Sequence, residues 1–333
     1  MRISDSGEFG FIDRIRKKLN PPSTDVVKGV GDDCAVIGSM KEQLRLLTTD
    51  MLVENVHFRL DWTNPYLLGR KSLAANLSDI AAMGGVPSGA LIGIGIPAET
   101  ELDFLDGFYE GLNSVAAEFE VSLVGGDTVN SPTGIVISVA VDGQVSESEI
   151  LYRSGARPGD VVFLTARVGS AAAFLDLKNH GREYEKESEL GKHHLDPRPH
   201  LKEGRIIAES KLASALIDVS DGFAADLGHI CRESDVGAVI EQEKIPTDDE
   251  LREYCRQFDL DELKFALQGG EDYVLLGTVA EDKAGYLESA LNSAGCAFVA
   301  VGQIEEKKAI RLKSPDGTDI EIEDSGYDHF KMR

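Results

Sequence analysis

Six groups of carboxylates stand apart from the rest of this sequence by position: Asp32/Asp33, Asp50, Asp79, Asp127, Asp218/Asp221 and Glu271/Asp272. Most close a short apolar run or flank a glycine pair, whereas solvated acidic residues sit among Lys and Glu. Gly125-Gly126-Asp127 and Gly269-Gly270-Glu271 share one design. A strand ends, two glycines let the backbone turn tightly or approach a ligand, and a carboxylate follows. A turn or a helix cap explains any one such aspartate alone. It is a poor explanation of all of them. Two carboxylates ~4 Å apart repel by roughly 4 kcal/mol at an effective dielectric near 20. Several around one point would exceed the ~5–15 kcal/mol net stability of a domain. Convergence therefore demands bound cations or protonated carboxyls.

The neighbouring donors are oxygens too: Thr48, Thr49 and Ser220, with no Cys or His pair at zinc spacing. An all-oxygen set selects a hard cation, Mg²⁺ before Ca²⁺, and no EF-hand loop is present. Mg²⁺ held by carboxylates commonly completes its shell with water and substrate phosphate, which points to nucleotide chemistry. The usual phosphate cradles are missing. There is no G-x-x-x-x-G-K-[ST], and Gly93-Ile94-Gly95 lacks a third glycine. No kinase H-R-D or D-F-G and no G-x-S-x-G occurs. Ser220 is better explained as a helix cap than as a nucleophile. Arg153, between an apolar run and a turn, is either a phosphate clamp or a solvent-exposed arginine. His57 is either a packed or capping histidine or a functional one. The reaction left standing is metal-dependent phosphoryl transfer outside the P-loop.

Strand ends and tight turns can bring such groups together above a sheet. Ala35-Val36-Ile37 and Leu44 to Thr49 predict two strands, with Asp33 and Asp50 at their ends. Pro65 and Gly84-Gly85 bracket a helix over about 66–83 that carries Asp79. Strands are expected over 89–96, 121–124 and 135–145, and a helix over 99–118; Gly-Gly-Asp127 closes the strand over 121–124. Residues 8–19 predict an amphipathic helix stopped by Pro21-Pro22. The first half thus suggests an α+β layer with helices on one face. A turn-rich boundary over 146–160 precedes a strand over 161–165. Residues 180–200 suggest a surface excursion. Helices follow over 200–212, 223–233, 248–257 and 281–294, with strands over 237–241, 273–276 and 297–303 and a ragged C-terminal segment. Leu77-Ser78-Asp79 and Val219-Ser220-Asp221 share a Ser-Asp pair, too short to establish a repeat.

At 333 residues, two domains are the better expectation. Net charge is −24, from 58 acidic against 34 basic residues, which argues against affinity for a nucleic-acid backbone. No apolar run approaches the ~20 residues of a membrane span, and the N-terminus lacks the apolar core of a signal peptide. Cys34, Cys231, Cys255 and Cys296 form no C-x-x-C pair and fit a reducing cytosol.

The motifs also occur in a telling order: Gly31-Asp32-Asp33-Cys34-Ala35, Thr48-Thr49-Asp50 with His57-Phe58, Asn76-Leu77-Ser78-Asp79-Ile80-Ala81-Ala82-Met83-Gly84, Gly125-Gly126-Asp127-Thr128, Arg153 to Asp160, Ile217-Asp218-Val219-Ser220-Asp221-Gly222, Gly269-Gly270-Glu271-Asp272-Tyr273 and Gly326-Tyr327-Asp328-His329-Phe330. As a set, they resemble the thiamine-monophosphate kinase family from about residue 7 to 330. The resemblance implies an α+β, two-domain fold like that of aminoimidazole ribonucleotide synthetase. Residues 1–147 would form a mixed sheet with helices on one face, binding ATP and Mg²⁺ and dimerising. Residues 148–333 would form an α/β sandwich that completes the site. It further implies a cytoplasmic homodimer that converts ATP and thiamine monophosphate to ADP and thiamine diphosphate with several Mg²⁺ ions. By the same resemblance, Asp33, Thr48, Thr49, Asp50, Asp79, Asp127, Asp218 and Asp221 would bind Mg²⁺, with Asp50, Asp127 and Asp218 central to catalysis. Gly126, Asp127, Arg153, Ser220 and Tyr109 would contact ATP; His57, Glu271 and Tyr327 would contact the acceptor. Residues 180–196 carry no implied role. Two relatives fit less well. A selenophosphate synthetase would carry a reactive Cys or selenocysteine before Cys34, and the hydrogenase-maturation relative ends in Cys, whereas this chain ends Lys331-Met332-Arg333. A rival of another class is a non-catalytic Mg²⁺- or nucleotide-binding protein.

Overall fold

The computed structural model describes residues 10, 25–29, 31–38, 42–322, 326 and 327. The helix expected over 8–19 lies outside them except for Gly10, as do Asp328, His329 and Phe330 of the terminal motif. Two sheets organise the described chain. The first contains β1 (Val26–Lys28), β2 (Ala35–Gly38), β3 (Gln43–Val53), β4 (Val86–Ile96), β5 (Ser122–Asn130) and β6 (Val136–Ser146), in the spatial order β1-β2-β3-β6-β4-β5. Only β4 and β5 pair in parallel, as the crossover helix between them requires. The second sheet contains β7 (Asp160–Leu164), β8 (Ala213–Asp218), β9 (Gly237–Glu241), β10 (Leu275–Ala280), β11 (Val299–Glu305), β12 (Ile310–Lys313) and β13 (Asp319–Ile322), in the order β13-β12-β9-β11-β7-β10-β8. β12 and β13 occupy the stretch expected to be ragged.

One helix joins the two sheets. In α1 (Pro65–Ala82), the Asn64 side chain accepts a hydrogen bond from the Leu67 N–H at 2.8 Å, and Pro65 sits in the first turn where its missing N–H costs nothing. Almost every side of α1 is buried. It contacts β3, β6 and β8, and also α2 (Leu102–Glu118) and α5 (Leu201–Ser210). Leu68, Leu73, Leu77 and Ile80 share one core with Leu46, Ile92 and Val139 of the first sheet and with Phe163, Leu216 and Leu275 of the second. Alternate residues of the second sheet, Val162, Leu164, Ile217 and Leu276, pack on its other face with α6 (Phe223–Ser234) and α8 (Glu262–Gln268). Each strand thus divides its apolar residues between two faces by the two-residue period.

β3 is strictly alternating, and this decides where its polar residues go. Leu44, Leu46 and Leu52 are buried beneath α1, whereas Leu47 and Met51 are 36% and 56% exposed on the opposite face. Thr48 and Asp50 therefore face α1, and Thr49 faces away. The expected surface excursion over 180–200 instead contains α4 (Glu187–Leu195), whose Leu190 and His194 are buried. They pack near α3 (Ser170–Asn179) and α7 (Asp249–Phe258). The last helix, α9 (Glu281–Ser293), buries Leu287 and Leu291 in the shared core.

Candidate active site

The carboxylate groups separated in sequence meet at α1. Ligand oxygens of Asp33, Asp79 and Asp218 all lie within 4.8 Å of one another. Asp33 comes from the turn before β2, Asp79 from α1 and Asp218 from the end of β8. Thr48 donates a hydrogen bond to Asp79 Oδ2. Ser78 Oγ donates to Asp218 Oδ2 at 2.7 Å, so α1 itself ties the two sheets together at this point. The Asp50 N–H donates to Asn76 Oδ1 at 3.0 Å.

Burial and like charge act together here. Burial, then Asp33, pushes the Asp218 carboxyl up to about 8. Burial and Asp33 likewise raise Asp50 to about 6. Asp79 lies well above the usual carboxylate range because it is buried beside Asp50, Asp218 and Asp33. Raised values of this kind mark carboxylates that lack positive charge. Arg153 supplies one cation: its Nη2 lies 2.6 Å from Asp33 Oδ1. Asp32 stands behind it, 3.3 Å from Lys28 Nζ and accepting the Arg153 backbone N–H. Asp33 Oδ2 remains buried with no hydrogen-bond partner. An orphaned buried oxygen within a converging all-oxygen set fits a hard divalent cation.

The loop after β8 forms the adjoining wall. The Ser220, Asp221 and Gly222 N–H groups all donate to Asp226 Oδ2 at 3.1–3.2 Å. Asp226, one turn inside α6, thus reaches back to the N–H groups of the three residues that precede the helix, and no side chain caps α6 at Gly222. That corrects the expected capping role of Ser220. Asp221 also falls within ligand distance of Asp226 and His229. The Tyr327 N–H donates to the Asp221 carbonyl at 3.0 Å, which brings the terminal motif to this loop. The Glu271 N–H donates to the Ser220 carbonyl at 2.8 Å. Gly270 permits that approach, since a Cβ there would lie 2.4 Å from the Ser220 oxygen. Asp272 anchors the far side by accepting the Gly169 N–H at 2.8 Å.

Other expected site residues lie apart from the cluster. Asp127 is exposed in the cross-strand row Met51–Ser138–Gly93–Asp127, on the open face of the first sheet. There it lines a cleft of ≈ 320 Å³ with Gly93, Gly95 and Ser138. β5 does not stop at Gly125-Gly126 as expected but runs on to Asn130. Gly126 lets it do so, because a Cβ would lie 1.9 Å from the Ile92 oxygen of β4. Thr49 Oγ1 donates to the Val139 carbonyl at 3.0 Å, on the face opposite Asp50. Tyr109 is 36% exposed on α2, edge-on to Phe108. His57 Nδ1 accepts the Val53 N–H at 3.0 Å in the turn that ends β3.

Residues 31–145 match the AIR synthase related protein N-terminal domain, and residues 157–314 its C-terminal domain. Thiamine-monophosphate kinase of Salmonella typhimurium is 35% identical over 331 residues, covering 97% of this chain and 98% of that protein. The enzyme of the same name from Bacillus subtilis is 34% identical over 97% of this chain and 99% of that protein. The chain belongs to the thiamine-monophosphate kinase family of AIR synthase related proteins. Among solved structures, AaThiL complexed with AMPPCP and TMP superposes with a TM-score of 0.87 at 34% identity, covering 99% of both chains. HypE of E. coli, a hydrogenase maturation protein, shares the fold at a TM-score of 0.70 and 18% identity, covering 84% of this chain and 85% of that chain. The two-domain, AIR synthase-like fold expected from the family resemblance is therefore correct. The sequence assigns no role to several residues around the cluster: Lys71, Asn76, Ser78, His194 and Asp226. All five are polar side chains no more than 2% exposed, and His194 lies in the stretch expected to be a surface excursion.

Proposed function

We propose that the protein transfers the γ-phosphoryl group of ATP to thiamine monophosphate. The observation that carries this reading is the convergence of Asp33, Asp79 and Asp218 in a chain of this family. Asp33, Asp79 and Asp218 would hold Mg²⁺, with Thr48, Asp50 and Asp221 alongside; when bound, the metal neutralises phosphate charge and aligns the two anionic partners. The expected metal roles of Thr49 and Asp127 rest on the sequence resemblance alone. The acceptor is a phosphate monoester, whose ionised oxygen is itself the nucleophile, so no strong general base is needed. That oxygen bonds to the γ-phosphorus as the bond to the β–γ bridging oxygen breaks, and ADP leaves. Arg153, beside Asp33, is placed to meet the polyphosphate; Gly126, Ser220 and Tyr109 serve the ATP side. His57, Glu271 and Tyr327 serve the acceptor. Transfer is direct, without a phosphoenzyme.

We divide the chain into residues 1–147, for ATP, Mg²⁺ and dimerisation, and 148–333, which completes the site; the family boundary between 145 and 157 supports this. A homodimer is supported by the open face of the first sheet, where Leu47, Met51, Leu91, Val124 and Val129 are 36–65% exposed. No helix among the described residues is long and apolar enough to cross a membrane. Four free, buried cysteines support placement in the reducing cytoplasm.

Incubation with ATP, Mg²⁺ and thiamine monophosphate, followed by product analysis, tests the reading. Equal amounts of ADP and thiamine diphosphate are expected. Binding of ATP without a thiamine product would overturn it in favour of a non-catalytic nucleotide-binding protein, and a phosphorylated protein trapped by rapid quench would exclude direct transfer.

A further inference from the structure

Beside the carboxylate cluster, three side chains close a ring at the junction of the two halves. Lys71 of α1 and His194 of α4 are each 2% exposed. Lys71 Nζ lies 3.0 Å from Glu271 Oε1, and His194 Nδ1 lies 2.8 Å from Glu271 Oε2. Lys71 Nζ is 3.3 Å from His194 Nε2. The ring fixes its own protons. An ammonium offers only donors, so Nε2 must accept and the ring hydrogen sits on Nδ1, within 2.8 Å of Glu271 Oε2 but off line for a hydrogen bond. Burial, reinforced by Lys71, pushes the His194 pKa down. Burial alone would raise Glu271, but Lys71 and His194 override it and hold the carboxyl far below its usual range. Phe174 packs at a tilt beside His194, with ring centroids 5.4 Å apart.

The segment that carries Glu271 cannot hold its shape by propensity. Glu271 and Tyr273 both adopt left-handed backbone, with φ of 64° and 51°. Non-glycine residues persist there only when their surroundings over-determine them. The ring supplies two side-chain constraints, and the Ser220 and Val219 carbonyls supply two backbone ones. Each Glu271 oxygen keeps a second lone pair for a ligand. Thiamine monophosphate carries a cationic thiazolium and aminopyrimidine N–H donors, both suited to a fixed, acceptor-only carboxylate.

We propose that Lys71 and His194 are positioning residues that hold the Glu271 carboxylate in one place and orientation, and so set affinity for the thiamine acceptor without affecting ATP. The proposal rests on the assignment of Glu271 to the acceptor. The test is a mutant cycle in the full-length protein: wild type, Lys71→Met, His194→Leu, Glu271→Gln and both double variants with Glu271→Gln. KM is measured for thiamine monophosphate at saturating ATP–Mg²⁺, and for ATP at saturating acceptor. Lys71→Met should raise acceptor KM about tenfold and His194→Leu about threefold, with ATP KM changed by less than about twofold. In the Glu271→Gln background, neither change should raise acceptor KM further, because each acts through the missing carboxylate. If Lys71→Met does not fold, His194→Leu and its double variant decide the question. Additive effects, an equal rise in ATP KM, or no change in acceptor KM would overturn the proposal. A wild type that makes no thiamine diphosphate would instead overturn the functional reading on which it rests.

Discussion

Asp79 concentrates the electrostatic problem of this site into one side chain. It is held by Thr48 and surrounded by Asp50, Asp218 and Asp33. Asp79→Asn keeps an acceptor for Thr48 and, at a pH high enough to ionise the raised Asp79 carboxyl, removes a charge, so the metal-free variant should there melt higher than wild type. A gain of ~1 kcal/mol would appear as roughly 2 °C for a chain of this size. Calorimetry in EDTA reads this directly, and a lower midpoint would show that the cluster is not charge-strained. The sign of the pH dependence follows from the same crowding. Asp50 and Asp218 titrate at about 6 and about 8 in the folded protein, above the unfolded value of 3.8. The folded state therefore binds more protons between about pH 4 and 8, and stability falls as pH rises through that window. Mg²⁺ binds the ionised form, so its stabilising effect should be larger at pH 8 than at pH 6 in thermal melts. A larger effect at pH 6 would contradict the assignment. The aspartates themselves were legible because glycine pairs and apolar runs isolate them in the sequence. The contacts of Asn76 and Ser78 were not, because a buried polar residue on a helix has no local signature; its partner, Asp50 or Asp218, lies on another element.

At the scale of elements, most helices and strands follow from apolar period and Pro or Gly punctuation; their ends often do not. β3 was expected to stop near Asp50, yet it continues to Val53 because every residue from Gln43 onward pairs with β6. Strand length here is set by the partner strand, which no local pattern reveals. The same is true of β5, whose run past Gly126 depends on its close approach to β4. Gly126→Ala would drive a methyl into the Ile92 carbonyl, so strand β5 must shift. A loss of about 1–3 kcal/mol in chemical denaturation is expected, and an unchanged midpoint would show that β5 is free to adjust. Helix α4 was missed for a different reason. Its sequence is polar, and the few residues that anchor it, Leu190 and His194, are too sparse to make a period.

The whole molecule is a junction rather than two separate halves. α1 lies between the sheets, presenting Lys71 to Glu271, Ser78 to Asp218 and Asp79 to Thr48. The carboxylate cluster thus draws on elements of both sheets, which explains why the motifs are spread over most of the chain. The open face of the first sheet has a separate consequence. Met51→Glu would place a charge among exposed apolar side chains, at a residue pointing away from the carboxylate cluster. Sedimentation should show a dimer for wild type and a monomer for the variant; a wild-type monomer would end the dimer proposal.

The central claim is that Asp33, Asp79 and Asp218 jointly hold a divalent cation. Mn²⁺ binding, followed by electron paramagnetic resonance at pH 8 with a non-hydrolysable ATP analogue present, tests it most directly. Asp218→Asn should bind less Mn²⁺ per chain than wild type while circular dichroism shows an intact fold. Equal Mn²⁺ binding by the folded variant and wild type would contradict the account.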